Sequence, residues 1–243
     1  RPTLDGWFGE TGDCTDWLRS RRMSSAIVGR SVPFPADPDE FPAAKEAIRE
    51  RIAELTEDGA LSLELHYEAP CEQDESLRWH GDAGTEPYEY TPEQQQKLQR
   101  WFRACGKTLE ELGVADRFFI WIWDEPSAVH HQAMKQKCAI VRQGSEQIGR
   151  LQPGGGLPKA MVGQINMWCP LSAGHSGDFE RAAHARGERY WWYTCVEPQA
   201  PFANIAFLGS NVLEARLLPW MMFQNNVDGY LFWTFSRLTF LND

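Results

Sequence analysis

The sequence predicts an α/β protein with a parallel sheet, a barrel of the (β/α)8 TIM type, on three observations. Strand-like and helix-like segments alternate along the chain. The stretch Phe118-Phe119-Ile120-Trp121-Ile122-Trp123 is an unbroken run of β-branched and aromatic residues, as in a strand buried on both faces. Each strand candidate also ends in polar or aromatic residues, as strands do where they meet a ligand-binding edge. A doubly wound sheet is the alternative. Only about six strands are legible, so the barrel is expected to be abbreviated or incomplete at its ends. The 243 residues suit one large domain better than two small ones.

In chain order, residues 1–12 read as a loop, 15–22 as a short helix and 24–29 as a short strand. Pro33, Pro35, Pro38 and Pro42 lead into a helix over 41–58, with Ala44, Ala47, Ile48, Ile52 and Leu55 at helical spacing and Gly59 as its stop. Residues 61–67 alternate as a strand ending in His66-Tyr67-Glu68. Residues 71–90 are acidic and mixed, the pattern of a long functional loop. Thr91 is placed to cap, and Pro92 to open, a helix that Gly113 ends. A second long helix is expected over 127–148, followed by a loop over 149–158. The Gly154-Gly155-Gly156 run in that loop has no strand before it and no Lys-Ser/Thr after it, which argues against a phosphate loop. Strands are expected over 164–169, 190–196 and 230–235, with a short helix from Gly177 and another over 211–225. On that last helix Arg216 and Trp220 share a face.

A net charge of −10 argues against a nucleic-acid partner, which would need a surface that neutralises a run of phosphates. No apolar stretch approaches the roughly 18 residues of a membrane span, so a soluble chain is expected. Arg1 opens the chain without a Met or a signal peptide, which leaves room for an upstream part. The six Cys show neither zinc-ligand spacing nor a small disulfide scaffold, and no metal or cofactor is expected. Eleven Trp supply many flat apolar faces of the kind that pack on sugar C–H faces, although core packing is the alternative for each.

Asp124-Glu125-Pro126 closes the central strand. Proline cannot donate to a ladder, so the strand stops by Glu125 and both acids stand at its carboxyl end. Taken alone, the pair reads first as a cap for the following helix. Taken with the aromatic strand ends, it reads as a catalytic pair.

Three segments carry a family resemblance: Trp123-Asp124-Glu125-Pro126; Asn166-Met167-Trp168-Cys169-Pro170; and the C-terminal third. That third runs through Trp191-Trp192-Tyr193-Thr194-Cys195, Asn204, Glu214-Ala215-Arg216-Leu217-Leu218-Pro219-Trp220 and Asp228-Gly229-Tyr230-Leu231-Phe232-Trp233. Together they resemble the catalytic barrel of glycoside hydrolase family 123 over roughly residues 117–235. The resemblance implies a retaining, substrate-assisted β-N-acetylgalactosaminidase mechanism, in which the 2-acetamido oxygen of the substrate attacks the anomeric carbon. It makes Glu125 the general acid and Asp124 the group that orients the acetamido. Chemistry is consistent, because a carboxyl among Trp rings beside a second carboxylate has its pKa pushed towards neutral by desolvation and like charge. The family's first-strand pattern and the segment after its last strand are missing here.

His66, Tyr67, Trp123, Trp168, Tyr193 and Trp233 are the expected substrate-binding residues, with Tyr193 the candidate to bond the acetamido carbonyl. Arg216 is expected to pair with an acid, and His130-His131 to be solvated. The expected partner is a glycan or glycoconjugate, with no nucleic acid and no membrane span; that substrate class favours an extracellular or periplasmic location. Oligomeric state is not legible. Two readings stand beside this one: a non-catalytic carbohydrate-binding barrel, and an ordinary two-carboxylate retaining glycosidase pairing Glu125 with Glu68 or Glu197.

Overall fold

The computed structural model describes residues 3–4, 24–25, 32–57, 60–65, 69–79, 81, 84–205 and 212–232. Its centre is a parallel sheet of six strands in sequential order: β3 (Leu63–Glu64), β4 (Phe118–Trp121), β5 (Gly149–Pro153), β6 (Met167–Cys169), β7 (Arg189–Thr194) and β8 (Gly229–Phe232). A separate parallel pair, β1 (Thr3–Leu4) and β2 (Ser24–Ser25), lies at the other side, with β1 beside β8. The α-helices among the described residues are α1 (Phe41–Glu57), α2 (Pro92–Glu111), α3 (His131–Arg142), α4 (Gly177–Ala185) and α5 (Val212–Gln224). Among the described residues this is a parallel α/β fold with a sheet curled into a half-barrel; the full (β/α)8 barrel expected from the sequence is not seen.

The curl follows from which residues each face carries. Phe119, Leu151, Met167, Cys169, Trp191, Tyr193 and Leu231 form a buried cluster on the concave side. Phe118, Ile120, Trp168, Tyr190, Trp192 and Tyr230 belong to the larger core under the helices. Neighbouring strands contribute alternate residues to each cluster, as side chains do inside a closing parallel sheet. Glycine is required where the concave side is tightest. A Cβ on Gly229 would lie 2.3 Å from the Trp191 ring, and one on Gly149 would lie 2.2 Å from the Arg189 guanidinium.

Most helices follow the local signals. Thr91 accepts the Gln94 N–H at 3.3 Å while the Gln94 side chain accepts the Thr91 N–H at 2.9 Å, a capping box that opens α2. Gly113 ends it with a φ of +70°, and the Val114 N–H reaches back to the Leu109 carbonyl. Helix α1 and helix α4 also stand where expected.

Two expectations fail. The long helix over 127–148 is a 3-10 turn followed by α3, which stops at Arg142. The loop expected from Gly149 begins with a central strand, β5. It reads poorly as a strand because two of its buried residues are polar. Arg150, 3% exposed, sends its guanidinium to the carbonyls of Gln164, Glu146 and Ile148. Gln152, 1% exposed, donates to the carbonyls of Gly154 and Gly156. Backbone acceptors thus replace the hydrophobic pattern that a sequence reader looks for. The expected helix over 15–22 and most of the opening loop lie outside the described residues, as do the later parts of the strands expected over 24–29 and 230–235.

Candidate active site at the strand ends

Strand β4 delivers the acids. Its pleat runs to Trp121; the Ile122 N–H still reaches the Leu151 carbonyl at 2.8 Å, and the chain then bends. Asp124 is half-buried, and its N–H donates to the Gly81 carbonyl at 2.7 Å. Glu125 is exposed, and its N–H donates to the Pro153 carbonyl at the end of β5 at 2.8 Å. Its φ is +44°, in the left-handed region that a residue with a long side chain adopts only when its surroundings impose it. Such backbone costs on the order of 1 kcal/mol and clusters at functional sites.

Neither acid caps the next helix. The turn after Pro126 starts at Ser127, whose N–H donates to His130 Nδ1 at 3.0 Å. The capping reading of the pair therefore loses its structural basis.

Tyr193, from the concave face of β7, donates its hydroxyl to Glu125 Oε1 at 2.7 Å. Burial pushes the Tyr193 pKa well above the ordinary phenol value, and the Glu125 carboxylate pushes it further the same way. The phenol is thus a fixed proton donor at any working pH. Phenol and carboxylate are brought together from residues 68 positions apart in sequence.

The other expected binding residues divide. His66, Tyr67 and Trp233 lie outside the described residues, as does Glu68. Trp123 and Trp168 are both 0% exposed and face the helices. Trp123 stacks on His130 with centroids 4.6 Å apart, because the bend after Trp121 turns it away from the concave side. Trp168 donates its indole N–H to Glu188 at 2.7 Å and packs edge-on against Phe179. Both are core residues that present no ring to a ligand, which corrects their assignment as substrate contacts. Trp121, which the sequence reading passed over, is the half-buried tryptophan of β4 that packs on the concave cluster.

Two smaller expectations, for His130 and Arg216, are also corrected. His130 is not solvated but 7% exposed, held between Trp123, Ser127 and the Thr85 carbonyl. Arg216 and Trp220 are both exposed on α5, Trp220 at 73%. Glu197 is exposed after β7, where its carboxylate accepts the Gln199 N–H at 3.0 Å in a local turn.

Sequence reasoning missed Lys137. It is 1% exposed on α3, donates to the Ile122 carbonyl at 2.5 Å, and stands 4.3 Å over the Trp79 ring and 5.3 Å over that of Trp123. Its signal was faint: one cation among the apolar positions Met134, Cys138 and Val141 of a helix.

A curled parallel sheet with an Asp-Glu pair and a buried phenol at its carboxyl edge puts those groups where parallel α/β folds place ligands and chemistry. The sequence comparison makes this specific. Residues 72–239 match the family model for the glycoside hydrolase 123 catalytic domain, so this chain belongs to glycoside hydrolase family 123, a family of glycosidases. The match begins well upstream of the segments that first suggested it.

Among solved structures, a family 123 glycoside hydrolase from Clostridium perfringens, studied for glycolipid glycan hydrolysis, resembles the chain with a TM-score of 0.54. Identity is 14%, so the likeness speaks for the fold alone. The alignment covers 78% of this chain and 35% of the clostridial one, so the chain spans about a third of that enzyme's length. A sugar phosphate isomerase/epimerase from Parabacteroides distasonis aligns over 97% of this chain and 79% of its own, at 12% identity and a TM-score of 0.39, too distant to inform the fold. No curated protein matches the sequence.

Proposed function

We propose that this chain hydrolyses a 2-acetamido hexosaminide, of the β-N-acetylgalactosaminide kind, with retention and with assistance from the substrate. The observation that carries the reading is Glu125 itself: an exposed carboxylate, in strained backbone, at the carboxyl edge of the sheet, under the Tyr193 hydroxyl. Family membership supports the reaction class.

In the first step the acetamido carbonyl oxygen of the sugar bonds to the anomeric carbon, closing an oxazolinium ring as the glycosidic C–O bond breaks. Glu125 gives its proton to the departing oxygen. In the second step water attacks the same carbon, Glu125 takes a proton from that water, and the ring reopens. Two inversions give net retention, with no enzyme nucleophile. Asp124, one residue earlier on the same strand end, is assigned to the acetamido N–H, where a carboxylate orients the group and offsets the positive charge of the ring.

Tyr193 has one proton to donate. In this structure it goes to Glu125; an acetamido carbonyl would compete for it. Trp121 and Tyr193 are the concave-side aromatics assigned to the sugar.

The test is Glu125→Gln. Turnover of an aryl 2-acetamido glycoside with a poor leaving group is expected to fall by roughly 10²–10⁴-fold, the usual worth of a general acid. Melting temperature is expected to hold, because the side chain is exposed. An unchanged rate would remove Glu125 from the chemistry.

A further inference from the structure

The glycine run after β5 has no place in the chemistry so far. All three residues are left-handed, with φ of +69° at Gly154, +64° at Gly155 and +73° at Gly156, yet their surroundings differ. A Cβ on Gly154 would stand 2.7 Å from Cγ and 2.9 Å from Cα of Glu125. One on Gly155 would stand 2.3 Å from the Pro126 carbonyl oxygen and 2.8 Å from the proline ring. One on Gly156 would meet nothing within 4 Å. Gly156 is therefore a glycine for its backbone alone, whereas Gly154 and Gly155 are glycines also because the acid and its proline occupy the space.

The turn is tied down on its far side. The Gly154 N–H donates to the Cys169 carbonyl at the end of β6 at 2.9 Å. The buried Gln152 amide donates to the carbonyls of Gly154 at 3.1 Å and Gly156 at 3.3 Å. From the strand side, the Pro153 carbonyl takes the Glu125 N–H. Left-handed backbone at a glutamate persists only where neighbours over-determine it, and these are the neighbours. A turn without side chains, anchored to two strands, is packed against the acid's Cα, Cβ and Cγ, while its Oε1 meets Tyr193 on the other side.

We propose that Gly154 and Gly155 form the seat of the acid and are positioning residues for proton transfer, acting only through Glu125. The inference rests on the reading of Glu125 as general acid. A side chain at Gly154 displaces the carboxyl from the leaving oxygen, and misplacement on the ångström scale costs up to roughly 10²-fold in rate.

Two measurements test it. The first compares Gly154→Ala with Gly156→Ala on two 2-acetamido aryl glycosides, one with a dinitrophenolate leaving group that departs without a proton and one with a methylphenolate that requires it. Both variants carry the same left-handed backbone penalty, and only the first touches Glu125. For Gly154→Ala, kcat/KM, which reports the first step and not the second step that both substrates share, is expected to fall at least about tenfold on the methylphenyl glycoside and less than about threefold on the dinitrophenyl glycoside. Gly156→Ala is expected to leave the ratio of the two rates unchanged. Gln152→Leu, which removes both ties without placing an atom beside Glu125, is expected to shift the ratio in the same direction as Gly154→Ala. Equal losses on both substrates, or an unchanged ratio in both Gly154→Ala and Gln152→Leu, would overturn the proposal.

The second measurement does not depend on turnover. Gly154→Ala is expected to lower the melting temperature more than Gly156→Ala, and that excess is expected to shrink in a Glu125→Gly background, where the Cβ and Cγ struck by the new methyl are gone. An excess of the same size in both backgrounds overturns the seat. Coupling between 154 and 125 in a protein that turns over no 2-acetamido glycoside would instead keep the seat and sink the reading of Glu125 as the acid.

Discussion

Two carboxylate clusters in this molecule share ingredients and differ in purpose. One is the strand-end site, with Asp124, Glu125 and Tyr193. The other joins α4 to the start of β8, with Glu180, His184, Asn226 and Asp228. In the second, His184 bridges both acids, Nδ1 to Glu180 at 2.5 Å and Nε2 to Asp228 at 2.8 Å. Asn226 donates to Glu180 at 3.0 Å, and the Tyr190 N–H donates to Asp228 at 2.7 Å. Each acid there holds at least two partners. Glu125, among the described residues, has one hydrogen bond to its carboxylate, on Oε1, and an exposed side chain in left-handed backbone. A satisfied network fixes structure; a carboxylate in strained backbone with capacity to spare has the surroundings that cluster at functional sites.

Exchange of the two roles by mutation should fail, and the sizes of the effects sharpen the contrast. Tyr193→Phe removes the one bond to Glu125. It also deprives the acetamido carbonyl of its donor; a neutral hydrogen bond is worth about 0.5–1.5 kcal/mol, so kcat is expected to fall roughly 2- to 10-fold while the fold holds. An unchanged kcat would mean that Tyr193 supports neither the acid nor the acetamido group.

His184→Gln should do the reverse. Burial lowers the His184 pKa, but Asp228 and Glu180 outweigh it and raise it above the ordinary histidine value of 6.5. A raised folded-state pKa gives stability that is fully present below the unfolded pKa and is lost as pH rises through the folded value. The melting-temperature gap between the native protein and His184→Gln is therefore expected to be about 2–4 °C at pH 5.5 and to narrow above neutrality, with kcat unchanged at both pH values. A gap that widens with pH would show that the histidine is held neutral.

The contrast also marks where the sequence was legible. Local chemistry was readable: Thr91, Pro92 and Gln94 announce the start of α2, and Gly113 its end, within a few residues of chain. The hydrophobic run of β4 and the acids at its end were readable for the same reason. What escaped depends on distant partners. Strand β5 hides because polar Arg150 and Gln152 stand at buried positions, and the Gln164 carbonyl that takes the Arg150 guanidinium lies on a segment only the fold brings near. Trp123 was preferred over Trp121 because a bend after β4 breaks the alternation that would have kept both rings on one face. The Gly154-Gly155 turn was read as featureless loop, since its contact with Glu125 and Pro126 exists only through the register of β4 beside β5.

The central claim is that the acetamido group of the substrate, and no second enzyme carboxylate, attacks the anomeric carbon. The most direct measurement is kcat/KM for matched pairs of aryl β-glycosides that differ only in bearing a 2-acetamido or a 2-hydroxyl group. Cleavage of the 2-acetamido members, with the 2-hydroxyl partners slower by at least about 10³-fold, is the predicted result. Comparable rates for the two members of a pair would contradict it and point to an enzyme nucleophile.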